Sequence, residues 1–329
     1  MNTTDRNLIN HEMTKTSFVL GMNVPNLNND DYKVLDNEPQ SSLVKIAEER
    51  ARKLYGAKYA RVEYKSIAYA IKYVLKDTIN DDDKIMALGE KWGGYSEFND
   101  LPYQTIRFDL GSDFKLDYAM VAELLKQEQP KVLFVGARFS QYAENYLTLN
   151  KICKENNTLL YSIISPSAAL TATGIIQNPV FWSDLVVVGM QGNLRGKEGA
   201  FVLTNNKDTY SQLLTRNADY DFLIYNATVL KEAASPRFSI YGRKCFTNAR
   251  ALADTFVRLR IKTHLPETNI VILDVKNTEQ CLNLLRLKGY DATPYGETRI
   301  VFDSSYLTTL GFKPNDFQEF ARRIAEIIR

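Results

Sequence analysis

In the middle of this chain, short apolar runs alternate with longer stretches whose apolar residues recur every three or four positions. Residues 84–88, 106–110, 132–135, 158–164, 185–190 and 200–204 are brief apolar runs bounded by polar or turn residues, and they predict strands. Residues 66–76, 117–126 and 143–156 carry the helical period between them. An earlier helix starts at Ser41. Leu43, Ile46, Ala47, Ala51 and Leu54 share one of its faces, Gly56 is placed to end it, and the short run Ala60-Arg61-Val62 follows. Strands that are apolar almost throughout belong to a largely parallel sheet with helices on both faces.

After Asn205 the strands give way to helices, notably 241–261. A smaller terminal unit follows, with strands at 269–275 and 298–302 and helices at 278–288 and 314–328. The expected fold class is α/β: a large domain with a mainly parallel, helix-covered sheet, plus a small C-terminal α+β domain. The expected boundaries are an N-terminal arm at 1–40, the large domain at 41–265 ending in a long helix, and the small domain at 266–329. The first forty residues are irregular, and the polar cluster Asn23, Asn26, Asn28, Asn29, Asp30 and Asp31 around Pro25 predicts a loop or arm.

At 329 residues the chain can bury a large core, and its formal net charge of +2 favours neither nucleic acid nor a membrane surface as partner. No apolar run is long enough to cross a bilayer, and Met1 to Asn10 lacks a signal-peptide core, so a cytoplasmic location is expected. Cys153, Cys245 and Cys281 stand at unrelated spacings and predict buried thiols instead of disulfides or a zinc site. His11 and His264 are the only histidines, which leaves little for a metal site or for acid–base work near neutral pH. The run Asp81-Asp82-Asp83 reads as an exposed turn, and no metal is expected.

Several stretches, in the same order along the chain, resemble serine hydroxymethyltransferases. Leu54-Tyr55-Gly56-Ala57 is similar to the family's Leu-Phe-Gly-Ala, and Trp92-Gly93-Gly94-Tyr95 stands where it has His-Gly-Gly-His. Pro130-Lys131-Val132-Leu133-Phe134-Val135-Gly136-Ala137 resembles Pro-Lys-Leu-Ile-Ile-Ala-Gly-Ala. Asn248-Ala249-Arg250-Ala251-Leu252-Ala253 and Leu307-Thr308-Thr309-Leu310-Gly311-Phe312 are close to Asn-Ala-Lys-Ala-Leu-Ala and Leu-Thr-Thr-Arg-Gly-Phe. The resemblance runs from about Glu38 to the C-terminus. It implies the fold-type I architecture of pyridoxal phosphate enzymes, a dimer with active sites at the subunit interface.

Within that resemblance the chemistry-bearing positions have changed. Met190-Gln191-Gly192-Asn193-Leu194-Arg195-Gly196 is similar to Thr-His-Lys-Thr-Leu-Arg-Gly, so the Schiff-base lysine position is Gly192. The family's Asp-x-Ala-His falls on Ile163-Ile164-Ser165-Pro166, which places Ile163 where an aspartate pairs the pyridine nitrogen. The phosphate loop falls around Glu63-Tyr64-Lys65-Ser66, without a glycine. These changes imply that pyridoxal phosphate is ancestral, and no cofactor is expected.

Ligand-binding candidates remain. Arg299 stands where the family's arginine pairs with a substrate carboxylate, and it also fits a salt-bridged structural residue. Tyr95 keeps an aromatic ring at the cofactor-stacking position, Glu12 resembles the entry to the active site, and Gln191 and Lys197 flank the changed loop. The implied function is a pseudoenzyme, a binding or regulatory subunit that forms a homodimer or a heterodimer with a related subunit and takes a small carboxylate. The alternative is a cofactor-independent enzyme acting on an amino-acid-like or other carboxylate-bearing molecule. A third reading is a residual pyridoxal phosphate enzyme whose amine comes from Lys197 or Lys91.

Overall fold

The computed structural model describes residues 16–19, 29–111 and 113–329. The first half runs through β1 (Thr16–Ser17), α1 (Asn29–Leu35), α2 (Gln40–Tyr55), β2 (Tyr59–Tyr64), α3 (Ile67–Thr78), β3 (Lys84–Leu88) and β4 (Gln104–Phe108). It continues with α4 (Tyr118–Glu128), β5 (Val132–Val135), α5 (Tyr146–Glu155), β6 (Leu159–Ile163), α6 (Ala168–Ala172), β7 (Leu185–Gly189) and β8 (Ala200–Thr204). Three helices then follow, α7 (Lys207–Gln212), α8 (Tyr220–Ala233) and α9 (Pro236–Arg258). The chain ends with β9 (Ile270–Asp274), α10 (Thr278–Leu287), β10 (Tyr290–Asp291), β11 (Thr293–Tyr295), β12 (Arg299–Asp303), α11 (Ser305–Thr309) and α12 (Pro314–Ile328).

The large sheet has seven strands in the order β2-β8-β7-β6-β5-β3-β4. The pairs from β7 to β4 are all parallel, and β8 alone runs against its neighbours. Successive residues of one strand feed opposite faces, so Leu133 joins one core and Val132 and Phe134 the other. Helices α2, α4, α5 and α8 cover the first face and α3 the second. Strands with both faces covered must be apolar throughout, which is why β5 and β7 are fully buried.

Local chemistry sets the helix limits. Gly56 ends α2 with φ of 68°, in the left-handed region where a Cβ is disfavoured. Ser66 starts α3 by accepting a hydrogen bond from Tyr69 N, and Asp117 starts α4 in the same way. The long helix α9 begins at Pro236, ahead of the expected start at residue 241, because Ser235 caps it and proline suits the first turn. β4 likewise lies two residues before the expected 106–110.

A second sheet, β11-β12-β9, is antiparallel, and α9, α10 and α12 pack on it to form the small α+β unit. β1 pairs in parallel with β10, and Phe18 is fully buried between Phe302, Phe317 and Phe320. The first forty residues are therefore not irregular throughout. Residues 29–35 are helical, with Asp30 and Asp31 in the first turn, where carboxylates favour the helix dipole. Asp31 is buried and pairs with Arg50 of α2 and Lys231 of α8, a tertiary contact that a local reading does not show. All three cysteines are buried free thiols. Among the described residues, no helix is long and apolar enough to cross a membrane, and no cluster of potential ligands fit for a metal ion is found.

Candidate functional site

The C-terminal ends of β5, β6 and β7 meet at one edge of the large sheet, where a parallel α/β sheet presents its loops. β7 runs into a tight turn at Gly192–Leu194. Gly192 is buried there with φ of 72°, and its carbonyl accepts from Arg195 N at 2.9 Å. Asn193 holds the turn in place. Its side chain donates to Pro166 O at 2.7 Å and accepts from Ala169 N at 3.0 Å. The same amide lies 3.4 Å from Asn269 Oδ1, and Asn269 donates to Asp303 and Ser305 of the small unit. Arg195, 7 % exposed, pairs with Glu232 and lies on the rings of Phe238 and Tyr241. The turn is thus a rigid brace between the two sheets.

The neighbouring strand ends approach closely. A Cβ on Gly136 would stand 2.2 Å from Ile163 O, and one on Gly189 would stand 2.5 Å from Ser165 Oγ. Ile163, 2 % exposed, offers only an alkyl group at the end of β6. Tyr95 is buried, with the Arg138 guanidinium over its ring at 4.9 Å, and burial pushes its hydroxyl far above the usual tyrosine range.

Arg299, at the start of β12, forms an ion pair with Asp274 at 3.3 Å across the β12–β9 ladder. Its guanidinium sits among Phe114, Tyr295 and Trp92, at 4.3, 5.2 and 5.4 Å from the ring centroids. Of the sequence candidates, then, the structure brings Trp92 to Arg299 but gives Tyr95 a different cation. Gln191 and Lys197 are exposed, and the Lys197 ammonium lies 5.1 Å from the Tyr225 ring. Lys91 is exposed and pairs with Asp109 at 2.6 Å. Glu12 lies outside the described residues.

One group was missed in the sequence. Glu144 stands between the large sheet and the small unit, with a small cavity on either side, each with room for about one or two waters. It accepts a hydrogen bond from Tyr118 Oη at 3.2 Å. Burial pushes its carboxyl up to about 7, the Tyr118 bond opposes this, and nearby Glu267 adds to it. A folded-state value above the unfolded one means that folding favours the protonated acid. Its contribution is whole near pH 4 and is lost as pH rises through about 7. Glu144→Gln is therefore expected to gain roughly 1–2 kcal/mol over the parent at pH 8 and to match it near pH 4.5. Urea unfolding at the two pH values checks this, and an equal effect at both would refute the assignment.

The model of the family described as serine hydroxymethyltransferase matches residues 37–282, most of the chain, with the ends of β5, β6 and β7 inside the match and Arg299 beyond it. The chain belongs to the serine hydroxymethyltransferase family. It is 25 % identical to serine hydroxymethyltransferase 2 of Mesorhizobium japonicum over 337 aligned positions, covering 89 % of this chain and 77 % of that protein. The serine hydroxymethyltransferases of Lactobacillus gasseri and Levilactobacillus brevis are 25 % and 26 % identical, each match covering 86 % of this chain and 76 % of theirs.

Membership in the serine hydroxymethyltransferase family corrects one expectation. The family is pyridoxal phosphate-dependent, so that cofactor is the one to consider for this chain, and the expectation of none is overturned. The residues present fit it incompletely. Gly192 has no side chain to offer an amine, and the buried Ile163 can neither donate to nor accept from a pyridine nitrogen.

Proposed function

We propose that this member of the serine hydroxymethyltransferase family works as a binding or regulatory subunit and does not transfer hydroxymethyl groups through a lysine-anchored cofactor. The observation that carries the proposal is Gly192, which occupies the lysine position of the resembling segment in a left-handed, buried turn. Two further features support it. The turn is braced by Asn193 and Arg195 instead of presenting a reactive side chain. Arg299, the candidate carboxylate anchor, is already paired with Asp274.

The reading includes a three-part chain, with an arm at 1–40, a large domain at 41–265 and a small domain at 266–329. It also includes a cytoplasmic dimer, formed with a second copy or with a related subunit. Association with a catalytic relative is physically natural in a family whose sites lie at the subunit interface, since one chain can complete the other's site.

The test supplies pyridoxal phosphate, serine and tetrahydrofolate, the acceptor of serine's hydroxymethyl carbon, to the purified protein, measures glycine release, and reduces a parallel sample with borohydride before peptide mapping. No pyridoxyl-lysine and no enzymatic glycine release are expected. A pyridoxyl label on one lysine together with turnover, at Lys197 or Lys91 above all, overturns the proposal.

A further inference from the structure

The loop between β5 and α5 is sewn to the segment that leads into β9, and Glu144 lies in the seam. Glu267 N donates to Gln141 O at 2.8 Å, Thr268 Oγ1 to Ser140 O at 2.5 Å, and Ala143 N to Glu267 Oε2 at 3.1 Å. The Gln141 side chain, 4 % exposed, covers the outer edge of β9 by accepting from Ile272 N at 3.2 Å and donating to His264 O. Phe139 packs on Tyr295 of β11, with ring centroids 4.5 Å apart. These contacts join the large sheet to the small unit at a second place, apart from the brace of Asn193 and Asn269.

Two small cavities flank Glu144 in this seam. One reaches Ile272 and Tyr295 of the small unit, and the other reaches Thr268 and the strand end at Ile163. The titratable groups that face Glu144 are Tyr118 of α4, Tyr146 of α5, Tyr142 and Tyr295 along the cavities, and Glu267 across the seam. Beyond Tyr142 lie Asp113, Lys115 at 4.8 Å from its ring centroid, and His264 with its ring 6.5 Å away. Tyr118 donates to Glu144 at 3.2 Å, but no cation bears on its charge among the described residues. An ionised Glu144 therefore confronts a second carboxylate across the seam, in a place too dry to hydrate it.

We propose that Glu144 is a pH-operated latch, which leaves the seam shut while protonated and drives the loop and the β9 segment apart when ionised. Opening brings water to the carboxyl and moves it away from Glu267. It also exposes the strand ends at Gly136 and Ile163, which line the cavity beside Thr268. The brace at Asn193 stays in place as the pivot. The sign follows from linkage. In the shut seam the carboxyl is pushed up to about 7, whereas a hydrated glutamate titrates near about 4.3. The shut form thus holds its proton more tightly, and the open fraction grows by up to about tenfold per pH unit between those values and levels off above them. The latch does not depend on the reading of Gly192.

The test follows amide exchange of the full chain from about pH 4.5 to about pH 8, expressed as protection relative to the unstructured rate. The reporters are the amides of Ala143, Glu267 and Ile272, and the references are amides inside β6 and β7. Seam protection is expected to fall at least tenfold between about pH 5 and about pH 7 in the parent, with a much smaller change in the references. In Glu144→Gln, which keeps the side chain's shape, seam protection should stay level over the same range, and circular dichroism verifies the fold. The carboxyl carbon of Glu144 in the parent, read by NMR, gives a check that needs no variant, since it must titrate over the range in which protection falls. Seam protection independent of pH in the parent, an undiminished fall in the folded Glu144→Gln variant, an equal fall in β6 and β7, or a Glu144 carboxyl that titrates like a hydrated glutamate would each overturn the proposal.

Discussion

Gly136→Ala is expected to destabilise the protein by roughly 3 kcal/mol or more, seen as a large fall in the urea midpoint without a change in slope. The added methyl would stand 2.2 Å from the carbonyl oxygen of Ile163 and 3.0 Å from its carbon. Both are backbone atoms at the end of β6, an interior strand held on each side by β5 and β7. A flexible side chain could turn away, but a paired strand cannot without breaking its ladder. Gly136 also has φ of 137°, outside the range in which L-residues are comfortable. Gly174→Ala separates these two causes. Gly174 has φ of 69° with nothing within 4 Å of a built Cβ, so only the backbone penalty of about 1 kcal/mol applies. Equal losses in the two variants would show that the close approach to Ile163 is not the cause.

Asp31→Ala is expected to cost about 3 kcal/mol at pH 7, because it leaves Arg50 half-buried without its carboxylate. The Asp31 side chain is 4 % exposed and accepts from both Arg50 nitrogens, at 2.8 and 3.1 Å, and from Lys231. Burial alone would raise its carboxyl. The hydrogen bonds and charges of Arg50 and Lys231 outweigh that and hold it below the ordinary aspartate range. A depressed folded-state value contributes stability above the unfolded value, near pH 4, and that contribution is lost as pH falls through the folded one. The gap between parent and variant should therefore be constant from pH 7 to about 5 and close as the pH is lowered towards 2. A gap that persists unchanged at low pH would show that packing, not charge, fixes α1.

The α/β layering was legible wherever burial on both faces demanded uninterrupted apolar residues. Residues 84–88, 132–135 and 200–204 fold as the strands read from them. Helix α1 was not legible, because Asn and Asp favour loops locally and the decisive contact joins Asp31 to Arg50 and Lys231. The site divides in the same way. Gly192 and Ile163 could be read as residue types, and their burial agrees with side chains that carry no polar chemistry. The partners of Arg299 and Tyr95 could not, because cross-strand register and loop return decide them. Asp274 meets Arg299 only through the β9–β12 ladder, and Arg138 reaches Tyr95 from the loop after β5. Glu144 looks like an ordinary surface acid in sequence, and only the folded chain shows it half-buried against Tyr118 beside the small unit.

The pairing of β1 with β10, with Phe18 set among Phe302, Phe317 and Phe320, bears on how the chain is made as well as on how it stands. As the polypeptide leaves the ribosome, Phe18 emerges long before Phe302, Phe317 and Phe320, the aromatic residues that will enclose it. The small unit cannot close until those residues have been joined, and the segment that seals it stays unsheltered until then. A nascent chain stalled before residue 290 would hold a finished large sheet beside an unclaimed strand, the state in which a chaperone or a protease would find it most readily.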